Sequence, residues 1–501
     1  MKNSSILQTL FGIFLLAFLL PPATAQKRSF GDLETVVMTS TGIIKSGDEV
    51  KGYYFLHHRK GDKRGEMEYV LQLVDQNLEP VGKKTFKGNN SLSVTSVAYN
   101  GDLLAVRLVD TEEEKSWVQL LDSEGKSVDR TTLSYTIYDH PQYAESMTSQ
   151  GYFPLAAVPG GFMSYSTTTA KKSAMSKTGY EIRFIPNDPE GKSWKLSSNE
   201  DREEFEAAGF LAADENIVLS FVGRRDGLMS RAMYFDVLAV DLQTGKELFT
   251  YRASEMENTV WLTDATVSGD RILLGGQYFG PDDKMIKDRP QGLALIELDR
   301  SGKEKKESYL SYEQSLGKHF EMDSKGRVEG IGNLMLHGLH ITPDGSVVAA
   351  MEGFTTFNKL VTIKDALLLY LDPTMKLQTV EHLEKDQRTV ELPMKGAALA
   401  GPMVLGFAAK SIGAFDFSYM QPNEDVVTVS FLNFERRKGE KNGLSVYTCT
   451  LLDGAFTRDK IRLDSDSDRA SVFPSKDGYV MVMEYFAKEK RLDARLERLR
   501  M

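Results

Sequence analysis

Short apolar segments alternate with polar turns along almost the whole of the 501-residue chain. In HITPDGSVVAAMEGF, Pro343-Asp344-Gly345 separates two apolar runs. Pro presets one turn dihedral, and Asp and Gly tolerate the others, so the pattern predicts a β-hairpin. Equivalent turns occur eight times, at Ser46-Gly47-Asp48, Asn100-Gly101-Asp102, Pro159-Gly160-Gly161, Asp214-Glu215-Asn216, Ser268-Gly269-Asp270, Pro343-Asp344-Gly345, Asn423-Glu424-Asp425 and Lys476-Asp477-Gly478.

These turns repeat at a nearly constant spacing. Between their central positions (47, 101, 160, 215, 269, 344, 424 and 477), five of the seven steps are 53 to 59 residues long, and two are 75 and 80. A second hairpin follows in most repeats, and the copy from Ile182 to Leu196 is degenerate. A four-stranded sheet cannot bury both faces alone, but sheets stacked in a ring can. We therefore predict an all-β fold, a β-propeller with eight four-stranded blades, and seven blades as the alternative.

The two ends of the chain are expected to meet in one blade. The last repeat supplies strands up to Asp493–Arg500 and then runs out of chain, so the segment from Lys27 to Leu33 is predicted to add the missing fourth strand. A helix is the alternative for the C-terminal segment, because Leu492, Leu496 and Leu499 also fall at helical spacing.

Two insertions lengthen the spacing, one from Tyr312 to Asn333 and one from Glu384 to Phe415. The second contains Pro402, which suits a first helical turn, and Gly413, which suits a helix end. A short helix is predicted between them. Its apolar stripe is expected to pack on the propeller, and a lid over a ligand site is the alternative; the stripe consists of Leu405, Ala408, Ala409 and Ile412.

The N-terminus has the pattern of an export signal. Lys2 precedes an apolar run from Ile6 to Leu20, and an A-x-A site ends at Ala25. The run is short for a membrane span, which needs about 20 residues. We therefore predict a signal peptide at residues 1–25 and a single propeller domain at 26–501, in the periplasm or outside the cell, with no membrane span after cleavage. An uncleaved anchor is the alternative, and the lone Cys449 is expected to be a buried strand residue.

Charge is unevenly distributed along the sequence. The chain has 61 basic and 71 acidic residues, a net charge of −10, which argues against a general nucleic-acid binder. In a propeller, the connections between the second (B) and third (C) strands of each blade share one face, here called the B–C face. The A–B turns on the opposite face are acidic. Most predicted B–C loops are net positive, namely those at 57–66, 171–177, 224–231, 435–443 and 488–491; 110–116 is acidic and 281–289 is balanced.

This charge distribution leads to a binding hypothesis. An anionic polysaccharide or an acidic protein surface at the cell envelope is the expected partner of the B–C face, because guanidinium and ammonium groups bind carboxylate, sulfate and phosphate. Loops that are charged only for solubility are the simpler explanation. The predicted ligand-binding residues are Arg59, Lys60, Lys171, Lys172, Arg224, Arg225, Arg436 and Arg437.

Motifs for other chemistry are weak. AVDLQTGKELF resembles a blade motif of quinone-dependent dehydrogenases, with Phe249 where those enzymes have Trp, and occurs once. NDPEGKSWKL resembles a sialidase Asp-box, but Asp188 lies one residue too far from Gly191. His337 and His340 lie three apart on a predicted strand, so they point to opposite faces and would not share a metal. No catalytic residue, cofactor or metal is predicted.

The turn style together with the signal peptide resembles uncharacterised secreted propellers of Bacteroidota. That resemblance implies a propeller fold and export but no activity. The sequence therefore predicts a binding or scaffold protein. A glycan-directed enzyme with its active site in the central channel is the alternative, and a structural part of an envelope assembly is a third possibility.

Overall fold

The computed structural model describes residues 26–501, apart from 47–48, 62–65, 137–138, 140–154, 170–176, 199–203, 228–229, 231–232, 286, 324–326, 394–399, 424–425, 436–442, 464, 466, 468, 477 and 500–501. Its strands form eight antiparallel sheets, each built in the order of the chain except the last. Around the ring the first strand of each sheet contacts the neighbouring sheet, mostly at its first strand, and the first and last sheets also contact one another. The chain is therefore an eight-bladed β-propeller, as predicted.

Strands are numbered along the chain. Blade 1 contains β2 (Thr35–Ser46), β3 (Glu49–Lys60), β4 (Glu66–Asp75) and β5 (Pro80–Asn89). Blade 2 contains β6 (Leu92–Tyr99), β7 (Leu104–Asp110), β8 (Lys115–Leu121) and β9 (Ser127–Leu133). Blade 3 contains β10 (Leu155–Val158), β11 (Gly161–Thr169), β12 (Thr178–Pro186) and β13 (Trp194–Ser197). Blade 4 contains β14 (Phe205–Ala213), β15 (Ile217–Arg225), β16 (Tyr234–Asp241) and β17 (Glu247–Tyr251).

The second half follows the same plan. Blade 5 contains β18 (Thr259–Ser268), β19 (Arg271–Phe279), β20 (Gly292–Asp299) and β21 (Glu304–Ser311). Blade 6 contains β22 (Asn333–Ile341), β23 (Val347–Phe357), β24 (Leu360–Leu371) and β25 (Leu377–Leu383), with β26 (Arg388–Glu391) added to β24. Blade 7 contains β27 (Phe417–Asn423), β28 (Val426–Glu435), β29 (Gly443–Leu452) and β30 (Ala455–Leu463). Blade 8 contains β31 (Arg469–Pro474), β32 (Tyr479–Phe486) and β33 (Arg491–Arg498), completed by β1 (Lys27–Phe30).

The ring closes as the sequence predicts. Strand β1 pairs antiparallel with β33, so Lys27 lies opposite Arg495 and Phe30 opposite Leu492. Phe30 packs edge-on against Phe55 of blade 1 at 4.8 Å, and the Tyr485 hydroxyl donates to the carbonyl oxygen of Glu34 at 2.8 Å. The helical alternative for the C-terminal segment is wrong, because the four-stranded blade needs that segment as its third strand.

Apolar side chains on both faces of the second strands form the interfaces between blades. Val347–Met351 of β23 are all fully buried, as the unbroken apolar run indicates. Cys449 of β29 is buried in the same way. The degenerate hairpin of blade 3 still pairs, with Phe184 opposite Trp194.

The inner strands of blades 1, 2, 5, 6 and 7 carry a β-bulge near the B–C face. In blades 5, 6 and 7 the pairing skips one residue between Leu262 and Asp264, between Leu336 and Gly338, and between Phe417 and Tyr419. Blades 1 and 2 show similar shifts, whereas the shift of blade 4, between Phe210 and Ala212, lies near its A–B turn. A bulge re-aims side chains and is common next to functional sites. The bulges therefore change which side chains line the mouth of the central channel.

Both insertions fold against the ring. The first contains helix α1 (Tyr312–Ser315) and a 3₁₀ turn at Leu316–Lys318. The second contains helix α2 (Pro402–Ser411), which packs against β22, β23 and β24 on the B–C face. Gly406 permits this close approach, since a Cβ there would lie 2.5 Å from Cζ of Phe354. Three residues of the predicted apolar stripe are buried, namely Leu405, Ala408 and Ala409. The prediction was wrong for Ile412, which follows the helix and is 39% exposed.

Candidate functional site

The predicted basic residues that the structure describes lie at strand ends on the B–C face. Arg59 and Lys60 end β3 of blade 1, and Arg224 and Arg225 end β15 of blade 4. These two blades are not neighbours, so the four residues form no single cluster. The remaining four predictions, Lys171, Lys172, Arg436 and Arg437, lie outside the described residues.

Two of these arginines already have carboxylate partners. Arg59 Nη2 lies 2.7 Å from Oε2 of Glu68, and Arg224 Nη2 lies 2.9 Å from Oδ2 of Asp236. Both carboxylates belong to the third strand of the same blade and are almost completely buried. Arg59 and Arg224 thus have a structural role, because they neutralise charges that would otherwise be costly to bury. Lys60 is exposed, and Arg225 Nε donates to the carbonyl oxygen of Ser230 at 2.8 Å.

Some buried carboxylates on this face contact two cations. In blade 1, Lys87 Nζ lies 2.5 Å from Oε1 of Glu68, in addition to Arg59. Both contacts lower the pKa of Glu68. Two further buried carboxylates also meet two cations each. Asp493 of blade 8 meets Lys27 and Arg491, and Glu181 of blade 3 meets Arg183 and Lys195. Glu68 and Glu181 thus contact two cations each, whereas Arg491 also pairs with Glu489 at 2.6 Å, so two cations balance two carboxylates around Asp493.

A second polar region lies at the mouth of the central channel, under helix α2. Asp264 follows the bulge of blade 5, His337 is the bulged residue of blade 6, and Lys410 reaches in from α2. The helix is anchored there by aromatic stacking, because Phe407 lies on Trp261 at 4.3 Å and Trp261 lies on Phe235 at 5.1 Å. Asp264 and Lys410 are surrounded by protein yet retain partial exposure, as expected for groups that line a channel.

Behind this region lies a buried ion network that joins blades 6 and 7. Lys385 Nζ donates to Glu352, and it also donates to Oδ2 of Asp416 at 3.0 Å. Arg388 Nη2 donates to Oδ1 of the same Asp416 at 2.7 Å. Burial lowers the pKa of Lys385, but the charges of Asp416 and Glu352 outweigh it and keep the pKa above its ordinary value. Two cations balance two carboxylates here, so the network is a structural element that holds the second insertion in place.

The polar groups at the channel mouth have fewer hydrogen-bond and ion-pair partners than this network. Lys410 Nζ donates to the carbonyl oxygen of Leu336 at 2.9 Å, and no ion pair of Lys410 is seen among the residues that the structure describes. Burial raises the pKa of Asp264 to about 7, although Lys410 opposes the shift. Burial, together with Lys410 and Lys385, lowers the pKa of His337 well below its ordinary value, so its imidazole is neutral. Thr263 Oγ1 is buried and makes no hydrogen bond within the described part of the chain.

Sequence reasoning missed this region. His337 was considered only with His340 as a metal pair, and Asp264 and Lys410 belong to no motif. The three residues come from two blades and an insertion, so only the closed ring brings them together. The described residues contain no group of three His, Cys, Asp or Glu side chains placed to hold a metal ion.

A cleft of about 700 Å3 opens on the outer side of blades 6 and 7. Most of the charged side chains that line or flank it form ion pairs with one another. Arg458 Nε lies 3.5 Å from Oε1 of Glu381, and His382 Nε2 lies 2.8 Å from Oδ2 of Asp365. The cleft therefore offers fewer free polar groups than the channel mouth.

Among the helices that the structure describes, none is both long and apolar enough to cross a membrane. A comparison with curated proteins finds no match.

Solved structures match the chain only distantly. Prolyl oligopeptidase B from Galerina marginata is 10% identical, with 89% of this chain and 55% of that chain covered, at a TM-score of 0.41. This chain thus spans about half the length of that enzyme. The β-propeller domain of the Trilobed protease from Pyrococcus furiosus is 10% identical, with 88% and 98% covered, at a TM-score of 0.40. An apocarotenoid oxygenase from Synechocystis is 10% identical, with 54% and 60% covered, at 0.32. These likenesses are too distant to transfer an activity.

One family model covers nearly the whole chain, matching residues 3–361 and 355–500. The protein belongs to that family, which is described as a family of unknown function, DUF6770.

Proposed function

We propose that this member of the DUF6770 family is an exported binding protein whose B–C face holds an acidic polysaccharide. The observation that supports the proposal is that two buried carboxylates on this face, Glu68 and Glu181, contact two cations each. These groups lie in blades 1 and 3 of a protein whose net charge is −10. Loop cations beyond the strand ends add to this positive charge, because the buried acids already have partners.

A polymer suits this arrangement better than a small anion. The positive groups are spread around several blades, so a chain with repeated charges can contact more than one at a time. Each exposed contact is weak, on the order of 0.2–1 kcal/mol, and several are needed for stable binding. The summed field of the face would also accelerate encounter with a polyanion.

Export is part of the proposal and rests on the sequence of residues 1–25, which lie outside the described residues. We expect the mature chain to begin at Gln26. N-terminal sequencing of the protein from the native cell envelope checks this, and an intact Met1 there would contradict export with cleavage.

The binding test uses a variant that spares the structural arginines. Arg59 and Arg224 remain, because their removal would leave buried carboxylates unpaired. The five-site rim variant changes Lys60, Lys171, Lys172, Arg436 and Arg437 to Gln. The control variant removes five exposed lysines near the C–D turns of the opposite face, and so makes the same change in net charge; these are Lys83, Lys192, Lys246, Lys303 and Lys376.

Retention on a heparin matrix at low salt is the measurement. We expect the native protein and the control variant to be retained and to elute as salt rises, and we expect the rim variant to flow through. A native protein that is not retained, or a control variant that is lost as fully as the rim variant, would show that the loop charges serve solubility. Retention by an immobilised acidic protein but not by heparin would shift the partner to an acidic protein surface.

A further inference from the structure

Lys410 makes no direct ion pair with the described residues, and Asp264 acts on it only through space. Burial lowers the pKa of Lys410, and the charge of ionised Asp264 raises it. The Lys410 ammonium group lies deep under helix α2 and contacts one neutral acceptor, the Leu336 carbonyl oxygen. Lysines this deep in a protein are almost always paired with an anion. By contrast, Lys385 of the neighbouring network has two carboxylate partners. When Asp264 is protonated, no such partner neutralises Lys410 within the described residues, so an anion from outside the chain would complete its environment.

The groups around Lys410 define what this anion would be. Thr263 offers a buried hydroxyl without a partner among the described residues, and Asp264 lies beside it on the bulge of blade 5. With Asp264 protonated, the single cation favours a monoanion, since a second negative charge would be buried without a partner. A planar carboxylate can accept hydrogen bonds from an ammonium and a hydroxyl at the same time.

We propose that the channel mouth between β18, β22 and helix α2 binds a small monocarboxylate, with Lys410 as its counter-ion and Thr263 as a hydrogen-bond donor. This site is separate from the proposed polysaccharide surface on the B–C face. Its cation lies inside the ring, whereas the cations of the polysaccharide surface lie at strand ends and in loops.

Asp264 links this binding to a proton. When ionised, its carboxylate is a competing counter-ion for Lys410 and repels the ligand. When protonated, it is neutral and can donate a hydrogen bond. Its pKa of about 7 sets the pH at which the two states interchange. Two sets of neighbouring groups also face this region. Burial and two lysines keep His337 neutral, and Lys385 and Arg388 pair with the carboxylates of Glu352 and Asp416.

Trifluoroacetate is the probe, because it stays ionised throughout the working pH range and its fluorine signal reports binding by NMR. We expect saturable binding to the purified protein at pH 6, and affinity about tenfold weaker at pH 8, where the protonated fraction of Asp264 has fallen from about nine-tenths to about one-tenth. Neutral trifluoroethanol should show no saturable binding.

Three variants separate the roles. Lys410→Met keeps the apolar stem and should abolish binding, whereas Lys364→Met should leave it unchanged; Lys364 Nζ also donates to a backbone carbonyl oxygen, that of Gly330 at 2.8 Å. Asp264→Asn should bind equally well at pH 6 and pH 8. This variant keeps the test valid if Lys410→Met fails to fold.

Several results would overturn the site. They are the absence of saturable binding to native protein at pH 6, unchanged affinity in a folded Lys410→Met protein, or a full pH dependence in Asp264→Asn. The rim variant distinguishes this proposal from the proposed function, because it should lose heparin retention but bind trifluoroacetate as the native protein does.

Discussion

Lys385 shows at the scale of one residue how this propeller tolerates buried charge. Its ammonium group is fully buried between the carboxylates of Glu352 and Asp416. Removing one member of such a network leaves the others unpaired in a medium that solvates them poorly, and this is strongly destabilising. The sequence gives no sign of it, because the three residues lie on a strand, a link and the next blade.

We expect Lys385→Met to lower the free energy of unfolding by about 3–5 kcal/mol. The matched control is Lys359→Met, which removes a lysine paired with Glu391 where both side chains are more than half exposed. That change should cost less than about 1 kcal/mol. Denaturant unfolding of both variants measures the difference, and equal stabilities would show that the buried network contributes nothing.

Asp264 predicts a pH dependence of stability. Its pKa in the folded state is about 7 against an ordinary value of 3.8. Between these values the folded protein keeps a proton that the unfolded chain releases, so the free energy of unfolding falls as pH rises from about 4 to about 7. Above that range the Asp264 contribution is constant.

Asp264→Asn removes this penalty, because the amide cannot ionise. The variant should be more stable than native protein, and this difference in the free energy of unfolding should grow by about 3 kcal/mol from pH 5 to pH 8. Denaturant unfolding at the two pH values measures this change. A constant difference between variant and native would mean that Asp264 keeps an ordinary pKa.

At the scale of elements, the strands were largely predictable and the bulges were not. Repeated Gly, Asn and Asp turns between apolar runs determined the hairpins, and the missing fourth strand of the last repeat indicated β1. The degenerate hairpin of blade 3 still forms, because Trp194 packs between blades and its indole N–H donates to the carbonyl oxygen of Leu242 at 2.8 Å. A bulge depends on how two strands pair, which alternation along one strand does not reveal.

Strand β1 gives a prediction at this scale. Deleting residues 27–33 should leave the β33 edge unpaired and expose Leu492 and Tyr485, which are now buried. An open apolar edge favours aggregation. The deletion should lower the melting temperature and increase aggregation, measured by thermal unfolding with light scattering. Arg28→Ala, which keeps the strand, is the control; an unchanged melting temperature in the deletion would contradict closure by β1.

At the scale of the whole molecule, the eight-bladed ring was predicted but its channel site was not. The number of blades could be predicted because each four-stranded blade repeats at a regular spacing, which a single sequence shows. The meeting of Asp264, His337 and Lys410 depends on closure of the ring and on docking of α2. The predicted rim arginines illustrate a related limit, because sequence charge does not show that Arg59 and Arg224 face buried carboxylates.

The central claim is that the B–C face binds a polyanion through several exposed cations. The most direct test is the affinity of native protein and rim variant for a heparin oligosaccharide between about 50 and 200 mM salt, a range in which screening of exposed charges increases strongly. The account predicts a steep loss of native affinity with salt and little or no binding by the rim variant, with the control variant behaving as native. A native affinity that does not change with salt, or one that the rim variant retains, would contradict it.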